Sequence, residues 1–182
     1  MKAINAPPAN LKRGGKFYQG KGTVLERQPY LWEQCYPWIF KSCQVTTNSG
    51  RSLTVRGALK AIRGAFVACN KKDGRVWFIG NGGSAGDASH LAVDFCKNGG
   101  IRAMSMNDAP TLTCLANDFG YDQVFAKQIE YQARSVDILV IISTSGRSLN
   151  IVAAADAART MGCTIFTLSG MNPNNVLRQK GD

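Results

Sequence analysis

The sequence predicts a doubly wound α/β fold, in which a parallel sheet is flanked by helices on both faces. Four short apolar segments have the length of strands, at 76–79, 101–106, 138–142 and 164–168. Segments with helical periodicity alternate with them, which predicts right-handed crossovers and parallel strands. The segment 138–142 is apolar throughout, as a strand buried on both faces should be.

The predicted helices follow from periodicity and from the turns around them. Leu59, Ile62 and Phe66 recur at three- and four-residue steps, which predicts a helix to about residue 70, with Ser52 as its cap. Further helices are predicted at 85–96, 109–116, 121–134 and 148–161.

Composition excludes several classes of protein. The chain has 182 residues, of which 45% are hydrophobic, enough for one domain with a core. No apolar run approaches the ~18–20 residues of a membrane span, and the N-terminus has no apolar leader segment. Six scattered cysteines without a CxxC pair indicate reduced thiols and predict a cytoplasmic protein.

The net charge of +10 is unevenly distributed. Residues 1–75 hold 14 Lys and Arg against 3 Asp and Glu, whereas residues 76–182 hold 8 against 9. A basic segment can attract nucleic acid, an anionic membrane surface or an acidic protein surface. We interpret it as a solvated arm or a face that docks on a protein partner, and we expect no nucleic acid or membrane binding.

The chain divides into two regions. Residues 1–50 begin with a segment rich in Gly, Pro, Asn and Lys and continue with proline-interrupted aromatics, which predicts a basic arm with short helices. Residues 51–182 carry the alternating strands and helices and form the predicted domain.

Two loops at carboxyl ends of predicted strands have unusual compositions. Residues 80–84 read Gly-Asn-Gly-Gly-Ser, and residues 143–148 read Ser-Thr-Ser-Gly-Arg-Ser, each directly before a helix. Ligands bind at this edge of parallel sheets, and hydroxyls at a helix N-terminus suit a phosphate. Neither a GxxxxGK[ST] nor a GxGxxG motif is present, so a small phosphorylated metabolite is favoured over a nucleotide. Both loops could also be ordinary turns with capping serines.

One helix face carries a pair of residues that could act in acid–base chemistry or bind metal. His90, the single histidine, and Asp94 are four residues apart on the predicted helix and therefore share a face. Together they could supply two ligands to a metal ion. A histidine hydrogen-bonded within the domain is the alternative.

These motifs together resemble a known family. The segments from Gly80 to Ala92, from Asn117 to Tyr121 and from Ser143 to Ser148 are similar to the sugar isomerase (SIS) domain, most closely its phosphoheptose isomerase subgroup. The resemblance covers roughly residues 52–180 and rests on three motifs in the right order and spacing.

The resemblance implies a fold, an activity and a set of residues. It implies a five-stranded parallel sheet and a cytoplasmic homotetramer that converts sedoheptulose 7-phosphate to D-glycero-D-manno-heptose 7-phosphate, for bacterial surface polysaccharides including lipopolysaccharide. His90 would bind zinc, Asp94 would act as base and zinc ligand, and both would be catalytic. The residues implied to bind the sugar phosphate are Asn81, Gly82, Gly83, Ser84, Asn117, Asp118, Ser143, Thr144, Ser145 and Ser148.

The chain also departs from the family pattern. Position 94 is Asp where the family has Glu, and the family's last strand and C-terminal helix, with a further catalytic histidine, have no counterpart here. An alternative function therefore stays open: a non-catalytic SIS module that binds sugar phosphates or associates with the bacterial replication initiator. Another sugar-phosphate isomerase or lyase of the same superfamily is a third possibility.

Overall fold

The computed structural model describes residues 43–182. They begin with a small antiparallel hairpin of β1 (Val45–Thr46) and β2 (Ser52–Leu53). The main sheet has four parallel strands: β3 (Val76–Gly80), β4 (Ala103–Ser105), β5 (Ile138–Ser143) and β6 (Thr164–Ser169). Their order is β4-β3-β5-β6, and the prediction of a parallel α/β sheet is confirmed.

In the described residues, five α-helices connect and cover these strands. They are α1 (Val55–Lys71), α2 (Gly83–Gly99), α3 (Ala109–Phe119), α4 (Val124–Gln132) and α5 (Leu149–Thr160). Two short 3₁₀ helices lie at Tyr121–Gln123 and Leu177–Lys180. None of the helices in the described part of the chain is long and apolar enough to cross a membrane.

The alternation of side chains along β3 and β5 separates two hydrophobic cores. Trp77 and Leu139 face one core, which includes residues of α3, α4 and α5. Val76 and Phe78 face the other, which includes residues of α1 and α2. Because neighbouring side chains of a strand point to opposite faces, both faces of these strands are buried, as their apolar sequences predicted.

Strand register brings the two unusual loops to one edge of the sheet. Gly80 pairs with Ile142 where β3 and β5 end, and Ser143 pairs with Ser169 of β6. The loop after β3 and the loop after β5 therefore leave the same edge side by side.

Some predicted boundaries are wrong for local reasons. Ser52 pairs with Thr46 in the hairpin, and α1 is capped instead by Thr54, whose hydroxyl accepts from the Gly57 amide at 3.1 Å. The predicted strand 101–106 is only three residues long, because the Ile101 amide donates to Phe95 and helps to close α2. The predicted helix 121–134 begins with a 3₁₀ turn and ends at Gln132.

The predicted basic arm lies mostly outside the described residues. Only residues 43–50 of that region are described, and they include β1 and the turn that leads to β2. The hairpin therefore spans the predicted domain boundary between residues 50 and 51.

Asp182 pairs with Ile165 on the outer edge of β6. Asp182 donates its amide to the Ile165 carbonyl, and its carboxylate accepts from the Ile165 amide, both at 2.8 Å. Arg159 donates to the same carboxylate at 2.6 Å, so the last described residue is tied to α5 as well.

Candidate functional site

The β3–α2 loop brings its backbone close to the first turn of α2. A Cβ on Gly80 would lie 2.6 Å from backbone atoms of Ser84, so only glycine fits there. Gly82 caps α2 with φ +54°, a backbone conformation that favours glycine. Gly82 and Gly83 are exposed, which leaves the α2 N-terminus accessible to a ligand.

Asn81 of this loop is joined to the first turn of α5. The Asn81 and Asn150 side chains exchange two hydrogen bonds, each 2.9 Å long. The Tyr121 hydroxyl also donates to Asn81 Oδ1, at 3.3 Å. Asn150 is only 3% exposed, so this contact connects the candidate site to the interior of the domain.

The β5–α5 loop is folded by its own serines. The buried Ser143 Oγ accepts from the Gly146 amide at 3.2 Å, and Ser145 Oγ accepts from the Arg147 amide at 3.4 Å. The Thr144 carbonyl accepts from the Gly170 amide at 3.1 Å, which ties the loop to the segment after β6. Ser143 therefore holds the loop in shape, whereas the Thr144 side chain is exposed.

Ser148 caps α5 in position but not through its side chain. It has extended backbone angles, and its hydroxyl makes no capping hydrogen bond. The alternative of a turn with a capping serine therefore does not hold for Ser148. The hydroxyl lies next to first-turn amides at the positive end of a twelve-residue helix.

Asn175 supports the same loop from below, and sequence analysis did not identify it. It is 2% exposed, donates to Ser169 Oγ at 2.9 Å and accepts from the Arg178 amide at 3.0 Å. A Cβ on Gly146, whose φ is +62°, would overlap the Asn175 side chain. The loop therefore needs glycine at position 146.

An open pocket of about 490 Å³ lies where the two loops meet. Its lining residues come from both loops and from the 3₁₀ turn between α3 and α4. They are Asn81, Tyr121, Asp122, Ser148, Leu149 and Asn150. The structure thus brings together two of the predicted site residues, Asn81 and Ser148.

His90 and Asp94 lie on the exposed face of α2. His90 Nε2 is 3.3 Å from Asp94 Oδ2, and the side chains are 79% and 44% exposed. Asp94 Oδ1 also accepts from Asn98 at 3.1 Å. His90 lies seven residues after the start of α2, which places it about 10 Å along the helix axis from its first turn.

A zinc site is not complete within the described residues. Residues 43–182 contain no group of three His, Cys, Asp or Glu side chains that could hold a metal ion. A catalytic zinc takes three protein ligands, so His90 and Asp94 alone do not fit such a site.

Asn117 and Asp118 lie near the exposed C-terminal end of α3 and do not line the pocket. Asn117 donates to Asp118 at 2.9 Å, and Cys114 donates to the same carboxylate at 3.6 Å. Hydrogen bonding to Asp118 raises the pKa of the Cys114 thiol. The structure therefore does not bring this pair together with Asn81 and Ser148.

Sequence analysis missed three further residues around the pocket and the loop. Tyr121 lies inside a quoted motif but was given no role, and Asn150 and Asn175 were not identified. A signal for Asn150 existed in the sequence, because it lies in the first turn of the helix after the serine loop. Nothing local to Asn175 indicates a contact with Gly146, which is 29 residues away along the chain.

The fold and the two loops define the class of protein. Residues 51–170 match the model of the SIS domain family, and the chain belongs to this family. Among its relatives, it is 44% identical over 107 residues to a phosphoheptose isomerase from Solidesulfovibrio magneticus, and 40% identical over 123 residues to one from Edwardsiella ictaluri. These alignments cover 56% and 65% of this chain and 52% and 62% of the relatives.

Solved structures show the same similarity. The structure of a phosphoheptose isomerase from Neisseria gonorrhoeae matches with a TM-score of 0.61 and 36% identity, over 66% of this chain and 65% of that chain. One from Francisella tularensis matches with the same TM-score and 30% identity, over 65% of each chain. The chain spans about half to three fifths of the length of the two curated relatives named above.

Proposed function

We propose that this chain binds a seven-carbon sugar phosphate and acts as a phosphoheptose isomerase. The observation that carries the proposal is the serine loop, with a Ser148 hydroxyl that makes no capping bond at the start of α5 beside the pocket. Hydroxyls and helix N-terminal amides bind phosphate without a nucleotide motif. The relatives named phosphoheptose isomerase support the same substrate class.

The proposed reaction converts sedoheptulose 7-phosphate to D-glycero-D-manno-heptose 7-phosphate. A proton moves from C1 to C2 through an enediol while the keto group at C2 becomes a hydroxyl and the C1 hydroxyl becomes an aldehyde. The phosphate would lie against Thr144, Ser145 and Ser148. Asn81, Gly82, Gly83 and Ser84 would surround the sugar.

Asp94 and His90 are the proposed acid–base residues. A carboxylate and an imidazole in contact supply the two groups that proton transfer between neighbouring carbons needs. Zinc remains a prediction, and no step here depends on it because the described residues do not complete its site. His90 and Asp94 are exposed, and so is Val93, at 60%. This exposure supports a homo-oligomer in which another copy covers this face of α2, and we propose a tetramer.

The product would supply heptose for bacterial surface polysaccharides, and we place the reaction in the cytoplasm. The test is isomerisation of sedoheptulose 7-phosphate by the purified 182-residue chain, with added zinc and with chelator. Turnover would support the isomerase, and its zinc dependence would support the metal. Absence of turnover and of binding would overturn the proposal.

A non-catalytic binding module is the second candidate. The observation that favours it is the lack of a third metal ligand near His90 and Asp94 in residues 43–182. Sedoheptulose 7-phosphate that binds but is not converted would support this function.

A further inference from the structure

The paired side chains of Asn81 and Asn150 connect the two loops of the candidate site. They exchange two 2.9 Å hydrogen bonds, and Tyr121 donates a third to Asn81. All three residues line the pocket. The pair therefore spans the space between the glycine loop and the helix that follows the serine loop.

Packing alone does not explain an amide at position 150. Asn150 is 3% exposed, and burial of an unpaired amide is unfavourable, so an apolar side chain would suit a position that only fills space. Within residues 43–182, the side-chain hydrogen bonds of Asn150 go to Asn81 and not to the backbone of α5. The favourable interaction of Asn150 is therefore with a residue of the site.

The pairing fixes which atoms of Asn81 are available. A side-chain amide has two N–H groups and one oxygen with two acceptor positions. Asn150 uses one N–H and one acceptor position of Asn81, and Tyr121 uses the other acceptor position. The second N–H of Asn81 has no partner among residues 43–182, so the group that Asn81 can offer a ligand is a donor.

We propose that Asn150 is a positioning residue, which holds the Asn81 amide so that its second N–H donates to an oxygen of the sugar. The inference rests on the proposed function and concerns the sugar end of the ligand, not its phosphate. Asn150 acts through Asn81, and Tyr121 supports the same orientation. The pair also sets the separation between the loop for the sugar and the loop for the phosphate.

The experiment compares two ligands, sedoheptulose 7-phosphate and inorganic phosphate, by calorimetric titration of the full chain. We expect Asn150→Ala to weaken sugar-phosphate binding about tenfold and to leave phosphate binding within about twofold. Asn81→Ala should have the same effect. The double variant should bind the sugar phosphate no more weakly than either single variant. The reason is that both changes remove the same interaction, the one between Asn81 and Asn150.

One control and one further variant complete the test. Asn70→Ala removes another amide contact, to the Gly100 carbonyl at the far end of α1, and should change neither affinity. Tyr121→Phe removes only a hydroxyl from an exposed ring, so this variant should fold. It therefore tests the orientation of Asn81 even if Asn150→Ala fails to fold. It should lower sugar-phosphate affinity alone, by about threefold.

The outcomes separate this inference from the proposed function. If the wild-type chain binds both ligands but Asn150→Ala and Tyr121→Phe keep its preference for the sugar phosphate, the positioning role is overturned and the proposed function stands. Equal loss of both ligands, or additive effects in the double variant, would assign Asn150 a structural role only. A wild-type chain that binds neither ligand would overturn the proposed function and this inference with it.

Discussion

Trp77 donates its indole N–H to the carboxylate of Asp137 at 3.0 Å, and both residues are 1% exposed. The same carboxylate accepts from the amides of Arg75 and Arg134, at 2.8 and 3.0 Å. These residues lie where β3 and β5 begin, whereas the candidate site lies where the strands end. Stability and ligand binding can therefore be changed separately.

Asp137→Ala should lower the free energy of unfolding by at least about 3 kcal/mol. Three buried or half-buried donors would lose a charged acceptor, and each such bond contributes about 1.5–3 kcal/mol. Urea denaturation measures the change, and Glu130→Ala, at an exposed ion pair, is the control with little expected effect. A loss no larger than that of the control would contradict the structural role of Asp137.

Ser148→Ala and Ser143→Ala should differ in their effect on stability. The Ser148 hydroxyl makes no capping bond, so its loss should weaken phosphate binding about tenfold and leave stability unchanged. Ser143 binds the Gly146 amide, so its loss should also cost about 1 kcal/mol of stability. Calorimetric titration and thermal unfolding measure the two effects, with the exposed Ser135→Ala as control. Unchanged affinity in Ser148→Ala would exclude Ser148 from the phosphate site.

Zinc binding should depend on His90 and Asp94 if these residues are ligands. We expect His90→Ala and Asp94→Asn to lower the zinc content of the dialysed protein, measured by elemental analysis. Asp87→Asn is the matched control, because it removes an exposed carboxylate from the same helix. Equal zinc content in all four proteins would show that His90 is not a ligand.

The buried thiols should resist modification at neutral pH. Burial raises the pKa of Cys163 to about 11, with smaller contributions from Asp137 and Cys69, and burial also raises the pKa of Cys69. Only about 0.1% of Cys163 is thiolate at pH 8. An aromatic disulfide reagent should modify the exposed Cys43 and Cys96 in the native protein, and Cys69 and Cys163 only after denaturation.

The same pKa shift predicts a loss of stability in alkali. The folded-state pKa of Cys163 lies above its ordinary value of 9.0, so the unfolded chain releases this proton first as the pH rises. The contribution of the Cys163 thiol to the free energy of unfolding is fully present below about pH 9. It is lost between about pH 9 and 11. Cys163→Ala should reduce this dependence in urea titrations at pH 8 and pH 10. If the free energy of unfolding changes equally between pH 8 and pH 10 in the wild type and in Cys163→Ala, the raised pKa of Cys163 is contradicted.

Local patterns in the sequence predict the layers of the fold and the loops of the site. Apolar runs such as 138–142 and helical stripes such as Leu59, Ile62 and Phe66 are local patterns, and local patterns fix strands and helices. Because strands joined by crossover helices run parallel, the edge where ligands bind also followed from the order of elements. Thus the glycine loop and the serine loop could be found without coordinates.

Contacts between distant side chains follow from the packing of the folded chain. Asn81 and Asn150 are 69 residues apart, Gly146 and Asn175 are 29 apart, and no local pattern encodes either contact. The tertiary structure also separated roles that composition made equivalent, since Ser143 holds its loop while Ser148 faces the pocket. Hydrogen-bond partners depend on distances between elements, and those distances are set when the two cores pack against the sheet.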